Sequence, residues 1–307
     1  MLKRSAVIAT LLALGGCGTK NQPVDQSKPL PIGKQVQTSA SAPRVTAVSL
    51  RRPIRTYKAY VGRQLARVAA DVHELRTALA AGRTAQARAA WRRANAGYQT
   101  IGAAYGAFGD YDAAINASPA GLQRGVRDPH FKGLQRVELA LFGRRRLADA
   151  QRPAAALERS VARLRQALPG LSIDPLEYVI RAHEIIEGTL NLVLTGRDSA
   201  WSGSTYEVVA ANVRGTRFVV GTVAALLRDR LPSVVARVRR DLNAIDRTLK
   251  TVRGRGGSYR PLGAVTQKTR ERIAQLVAAT AEELSLIPEA LDPRPPRPAR
   301  PAFGAAG

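Results

Sequence analysis

The residues best suited to chemistry in this chain are one imidazole and a few carboxylates set at helical spacing among apolar side chains. Leu176, Ile180, His183, Glu187, Leu190 and Leu194 are separated by four, three, four, three and four positions, which predicts one shared face of a helix. A histidine and a glutamate then stand where core residues belong. Phe131, Leu134, Glu138 and Leu141 repeat the pattern on a second predicted helix, with Gln135 beside them. Burying a charge is costly unless it is paired or bound to a metal. The pattern therefore has two readings: His183, Glu187 and Glu138 meet inside a bundle and hold a cation, or they form a hydrogen-bonded network without a ligand.

Further donors lie close in sequence. Asp110 and Asp112 follow the second predicted helix and can add oxygen ligands, although Asp110 equally suits a helix cap or a solvated loop. His130, eight residues before Glu138, can supply an imidazole from a connection or face solvent. Glu184 is one residue off the predicted face and is placed to pair with Arg181 or Arg136. Asn212 is another polar residue on an apolar stripe. His183-Glu184-x-x-Glu187 has one imidazole where the zinc-peptidase arrangement His-Glu-x-x-His has two. With a single cysteine and no suggestive Ser/His/Asp order, the expectation is a protein that is not an enzyme.

The elements that position these residues are helices. Few aromatics and abundant Ala, Leu, Val and Arg favour small-residue helix packing. Stripes on Val61, Leu65, Val68, Val72, Leu75 and Leu79, then on Trp91, Tyr98, Ile101, Tyr105 and Phe108, predict a helix opening near Pro53 and a second over 84–108. Further helices are predicted ending near Gly143, over 153–168, from Asp174-Pro175 to Thr195-Gly196, over 205–229, over 232–252 and over 262–286. The expected fold class is all-α, a helical bundle arranged as two stacked four-helix bundles divided near 169–174.

The ends of the chain differ from this domain. Residues 1–16 have the basic start (Lys3, Arg4) and short apolar run of an export leader, and Leu14-Gly15-Gly16-Cys17 resembles a lipoprotein cleavage box. Cys17 is then the expected lipidation site, anchoring an extracytoplasmic protein to a membrane at the cell envelope. Residues 17–50 read as a flexible tether, 51–290 as the helical domain and 291–307 as a Pro/Arg tail without a core. The formal net charge of +25 favours anionic partners such as lipid headgroups or envelope polymers. Nucleic acid is not expected, because no motif for it is present.

Three runs carry a family resemblance: YKAYVGRQLARVAADVHELRTALAAG, ARAAWRRANAGYQTIGAAYGAFGDYDAAIN and GVRDPHFKGLQRVELALFG. With RAHEIIEGTLNLVLTG and AANVRGTRFVVGTVAALL they resemble the imelysin-like domain of the EfeO/EfeM iron-uptake lipoproteins, over about residues 54–290, in the short form without a cupredoxin domain. The resemblance implies iron, or another divalent or trivalent metal, as cargo, and an iron permease and a haem-peroxidase-like protein as partners. It also implies a metal-binding His-x-x-Glu pair, of which Glu138 matches the glutamate while Gln135 stands at the histidine. Gln135 is thus a weak ligand or a supporting donor. A neutral amide is a poorer iron ligand than imidazole. The resemblance extends to the segment holding His183, Glu184 and Glu187, and to Gly203-Ser204-Thr205 ahead of Asn212. A relative that has lost the metal and acts as a cationic envelope module is the second reading.

Overall fold

The computed structural model describes residues 43–294 apart from 144, 145 and 255. The leader, Cys17, most of the tether and most of the Pro/Arg tail lie outside the described residues, but Leu291, expected to open the tail, is buried in the domain instead. Helices account for the architecture, and the one β-bridge among the described residues is isolated, between Arg253 and Tyr259.

Helix α1 (Ala47–Ala80) buries the whole predicted stripe from Val61 to Leu79. It starts earlier than expected. Thr46 and Ser49 form a reciprocal capping box. Val45 and Leu50 are buried directly beside it. Pro53 is therefore inside the helix rather than in its first turn, and the segment expected to close the tether belongs to the domain.

Helix α2 (Thr84–Gln99) buries Trp91 and Tyr98 but stops well short of Phe108. The cause is a long-range contact. Helix α8 (Thr205–Leu227) crosses here, and a Cβ built on its Gly215 would lie 2.5 Å from the carbonyl oxygen of Thr100. The chain turns instead through a 3₁₀ segment (Gly102–Ala104) and two short helices, α3 (Tyr105–Phe108) and α4 (Asp110–Ile115). Asp110 and Asp112, expected at a break, thus sit in the first turn of α4, where acids suit the helix dipole.

Helix α5 (Gly133–Phe142) carries Gln135 and Glu138. Its start is fixed by Gly133, whose φ is +78° and whose Cβ would meet the Ile115 carbonyl oxygen at 2.2 Å. The Trp91 indole N–H donates to the Leu134 carbonyl at 3.0 Å and ties α5 to α2. Helix α6 (Gln151–Ala167) closes a first four-helix group with α1, α2 and α5.

The second group consists of α7 (Pro175–Gly188), α8, α9 (Pro232–Thr251) and α10 (Gln267–Leu284), with a short α11 (Leu286–Ala290) behind α7. Asp174 caps α7 as expected, accepting from the amides of Leu176 and Glu177 at 2.8 and 3.0 Å. The last long helix begins at Gln267 rather than 262, because Thr266 caps it there. Packing of α8 on α1 and α2 joins the groups, with α6 the last helix of the first and α7 the first of the second.

Gly215→Ala should force α8 away from Thr100 and lower stability by about 1–3 kcal/mol, as overpacking does. Denaturant unfolding should show the midpoint falling with little change in slope.

Candidate functional site

Glu138 points into the interior and is fully buried. Its Oε1 accepts the backbone N–H groups of Ser202 at 2.8 Å and Trp201 at 3.2 Å, supplied by the polar loop between α7 and α8. Its Oε2 is buried and has no hydrogen-bond partner among the described residues. Burial raises the pKa of Glu138 above the usual carboxylate value, against the pull of the Ser202 hydroxyl and those two amides, and the nearby charge of Asp198 pushes it up further. Gln135, one turn earlier on α5, is also buried.

Asp198 belongs to the same loop and faces a cavity of about 230 Å³. Gln99, Asn116, Asn212, Arg181 and Glu184 line the cavity with it. Desolvation raises Asp198 to about 6. Asp112 is likewise raised to about 6 by desolvation, although it accepts the Tyr98 hydroxyl at 2.8 Å and feels the Arg181 charge. Tyr105, on the cavity wall, feels both Asp112 and Asp198. The acids that line this space are Glu184 of α7 and Asp198 of the α7–α8 loop, and Asp198 also acts electrostatically on Glu138. Arg181, on the cavity wall, lies 2.8 Å from Glu184 and 3.5 Å from Glu177, and its charge also reaches Asp112.

The backbone of the cavity wall is irregular. After Gly188, α7 continues as a π-helical turn over Thr189–Val193, a feature frequent at functional sites. Asn212 donates its amide to the Thr189 hydroxyl at 2.8 Å, and that hydroxyl donates to the Ile185 carbonyl at 2.7 Å. The polar residue that interrupts the α8 stripe thus holds the π turn.

The expected face of α7 is corrected by the structure. The buried positions are Tyr178, Val179, Ala182 and Ile186, so His183 and Glu187 lie to one side. The His183 side chain is 26% exposed and that of Glu187 50%, with Nδ1 and Oε2 3.8 Å apart. Glu138, by contrast, is sealed in the interior. Among the described residues no group of three or more His, Cys, Asp or Glu side chains is gathered to hold a metal ion. His183 and Glu187 meet as expected, but Glu138 does not join them. Glu184 pairs with Arg181, one of its two expected partners. Asp110 and His130 are exposed, and the amide of His130 donates to Asp128 at 2.9 Å. Asp198 and the Trp201–Ser202 amides are the site groups that sequence reasoning passed over. Their one signal was a polar, glycine-containing loop.

The imelysin family (peptidase M75) matches residues 53–287. This chain belongs to the imelysin family. This imelysin is 26% identical over 259 residues to the iron uptake system component EfeO of Yersinia pestis, covering 83% of this chain and 69% of that protein. It is 27% identical over 239 residues to EfeO of Yersinia pseudotuberculosis, covering 78% and 64%. EfeO of Escherichia coli K12 is 26% identical over 254 residues, covering 83% and 68%. The family assignment agrees with the resemblance carried by the sequence runs.

Asp198 gives this imelysin a signature in its pH dependence. A carboxyl raised in the folded state binds more protons there than in the unfolded chain, so its contribution to stability falls as pH rises from about 4 to about 6. Asp198→Asn removes that loss. The variant should be the more stable form at pH 7, on the order of 1–2 kcal/mol once cavity water is allowed for. It should match the parent at pH 4, as thermal unfolding at the two pH values will show.

Proposed function

We propose that this imelysin is the metal-binding component of an iron uptake system, with iron as its cargo. The observation that carries the reading is Glu138, a fully buried carboxylate with one oxygen bonded to two amides and the other bare. Inward-facing carboxylates are the means by which helical bundles hold iron. Glu138 and Asp198 are the proposed principal donors, with Gln135 as a weak or supporting donor and the cavity amides Gln99, Asn116 and Asn212 as neutral oxygens around the cargo. Asp112 is engaged by Tyr98 and Glu184 by Arg181, so each must exchange a partner before it can ligate. His183 and Glu187 offer two donors at the edge of α7 and form a separate, weaker outer station. The kinship with the EfeO proteins supports iron over other cations.

In the same reading the protein is extracytoplasmic, held to a membrane by lipid at Cys17, and delivers its cargo to a permease alongside a haem-peroxidase-like partner. None of the helices among the described residues is long and apolar enough to cross a membrane. Peptidase activity is not part of this proposal. Only one imidazole stands at His183-Glu184-x-x-Glu187, and Glu184, at the position of a general base, is tied to Arg181.

A second reading has its own support: Gln135 at the position of a ligand histidine, and a charge of +25. On that reading the protein carries no metal and its cationic surface holds an anionic envelope polymer.

Calorimetric titration of the metal-free protein with ferrous and ferric iron separates the two. The metal reading expects binding tighter than millimolar, beyond about −4 kcal/mol. Glu138→Gln and Asp198→Asn should each weaken it by about tenfold or more, His183→Ala should do so less, and Gln135→His should strengthen it. Affinity should also fall as pH drops through about 6, because the donor carboxyls must release protons. Binding no tighter than millimolar, together with salt-sensitive capture of a polyanion, would support the second reading instead.

A further inference from the structure

A second cleft lies between the beginning of α5 and the beginning of α6, with a volume of about 650 Å³. Lys132, Arg136 and Arg152 line it, and Asp149 is the acid among its lining residues. Asp149 is 3.9 Å from Arg146, which is not part of the lining. Some arginines elsewhere are paired with acids: Arg93 with Asp71 and Glu74, Arg181 with Glu177 and Glu184, Arg237 with Glu283. In the cleft, none of Lys132, Arg136 and Arg152 forms a side-chain hydrogen bond or ion pair with the described residues. Three cations and one acid thus line the same concavity.

Arg136 is pre-organised. Its guanidinium lies 5.8 Å from the centre of the Phe131 ring, and its residue is half-buried. An arginine resting on an aromatic face loses less freedom when its planar donor fork engages a carboxylate. The three cations come from three places: the residue before α5, the first turns of α5, and the first turn of α6. The volume falls in the range of small-ligand sites. A single phosphate would engage only part of such a set, whereas a molecule bearing several carboxylates can meet each cation in turn.

We propose that this cleft binds a small polycarboxylate. The cleft also shares a wall with the interior acid, since Phe131 packs 6.3 Å from Trp201, whose backbone N–H donates to Glu138. The proposal stands on the cleft residues alone and does not require that the interior hold iron.

The test is calorimetric titration of the whole, metal-free protein with propane-1,2,3-tricarboxylate at fixed ionic strength, with acetate and inorganic phosphate as comparisons. The expected result is saturable binding of one tricarboxylate, tighter than either comparison. Arg136→Gln should weaken it by about tenfold or more, and Arg152→Gln and Lys132→Gln by several-fold. Arg63→Gln, an exposed arginine outside the cleft lining, should leave it unchanged. Lys132 and Arg152 are exposed, so those variants keep the test open if Arg136→Gln fails to fold by circular dichroism. The proposal is overturned if the tricarboxylate binds no tighter than acetate, if phosphate binds more tightly, or if Arg63→Gln weakens binding as much as Arg152→Gln does. The last result would mean a diffuse field rather than a site.

Discussion

The arrangement depends on burying one carboxylate, Glu138, where water cannot reach it. Removing an ionised carboxylate from water costs several kcal/mol even after relaxation. Two backbone N–H groups from Trp201 and Ser202 offset part of that cost through charge-assisted hydrogen bonds. Those amides belong to the loop between α7 and α8, whereas Glu138 belongs to α5. The contact is therefore a junction between the two four-helix groups, and the same loop brings Asp198 to the cavity. Satisfying one oxygen of Glu138 is what places the second acid.

Around this junction the chain has accepted several irregularities at once. The second helix ends at the close approach of Gly215 to Thr100, and the turn that follows carries Tyr105 to the cavity, with Asp112 close enough to act on it electrostatically. The π turn after Gly188 is held by Asn212 through Thr189. Each departure from regular helix lies on the cavity wall or beside it, while the outer helices α6, α9 and α10 remain regular. Desolvated acids on the inside contrast with a strongly basic chain. Arg181 is the one cation placed among the acids of the cavity lining, where it serves as an internal counter-ion.

Much of the fold was legible in the sequence because long amphipathic stripes constrain it. The α1 stripe from Val61 to Leu79 and the Asp174-Pro175 start of α7 appear where spacing and capping chemistry put them. The face of α7 was misread for two physical reasons. Its interior side includes Tyr178 and Ala182, which score less apolar than the Leu and Ile of the neighbouring stripe. The π turn then adds residues per turn, so Leu190 and Leu194 cannot be projected with the period that holds for Leu176 and Ile180. The truncation of α2 and the role of Asp198 were not legible, because both follow from contacts between segments far apart in the chain. Glu138 was legible as an acid on an apolar stripe, and Gln135 as its neighbour. The amides that receive Glu138 carry no side-chain signature.

The most direct measurement of the central claim is anomalous X-ray diffraction at the iron absorption edge from crystals of this imelysin grown metal-free and soaked in iron. The account predicts a peak in the cavity region, bonded to the free oxygen of Glu138 or to the Asp198 carboxylate, with the Trp201 and Ser202 amides still on the other oxygen of Glu138. A peak confined to His183 and Glu187, or crystals that take up no iron while Glu138 keeps its buried position, would contradict it.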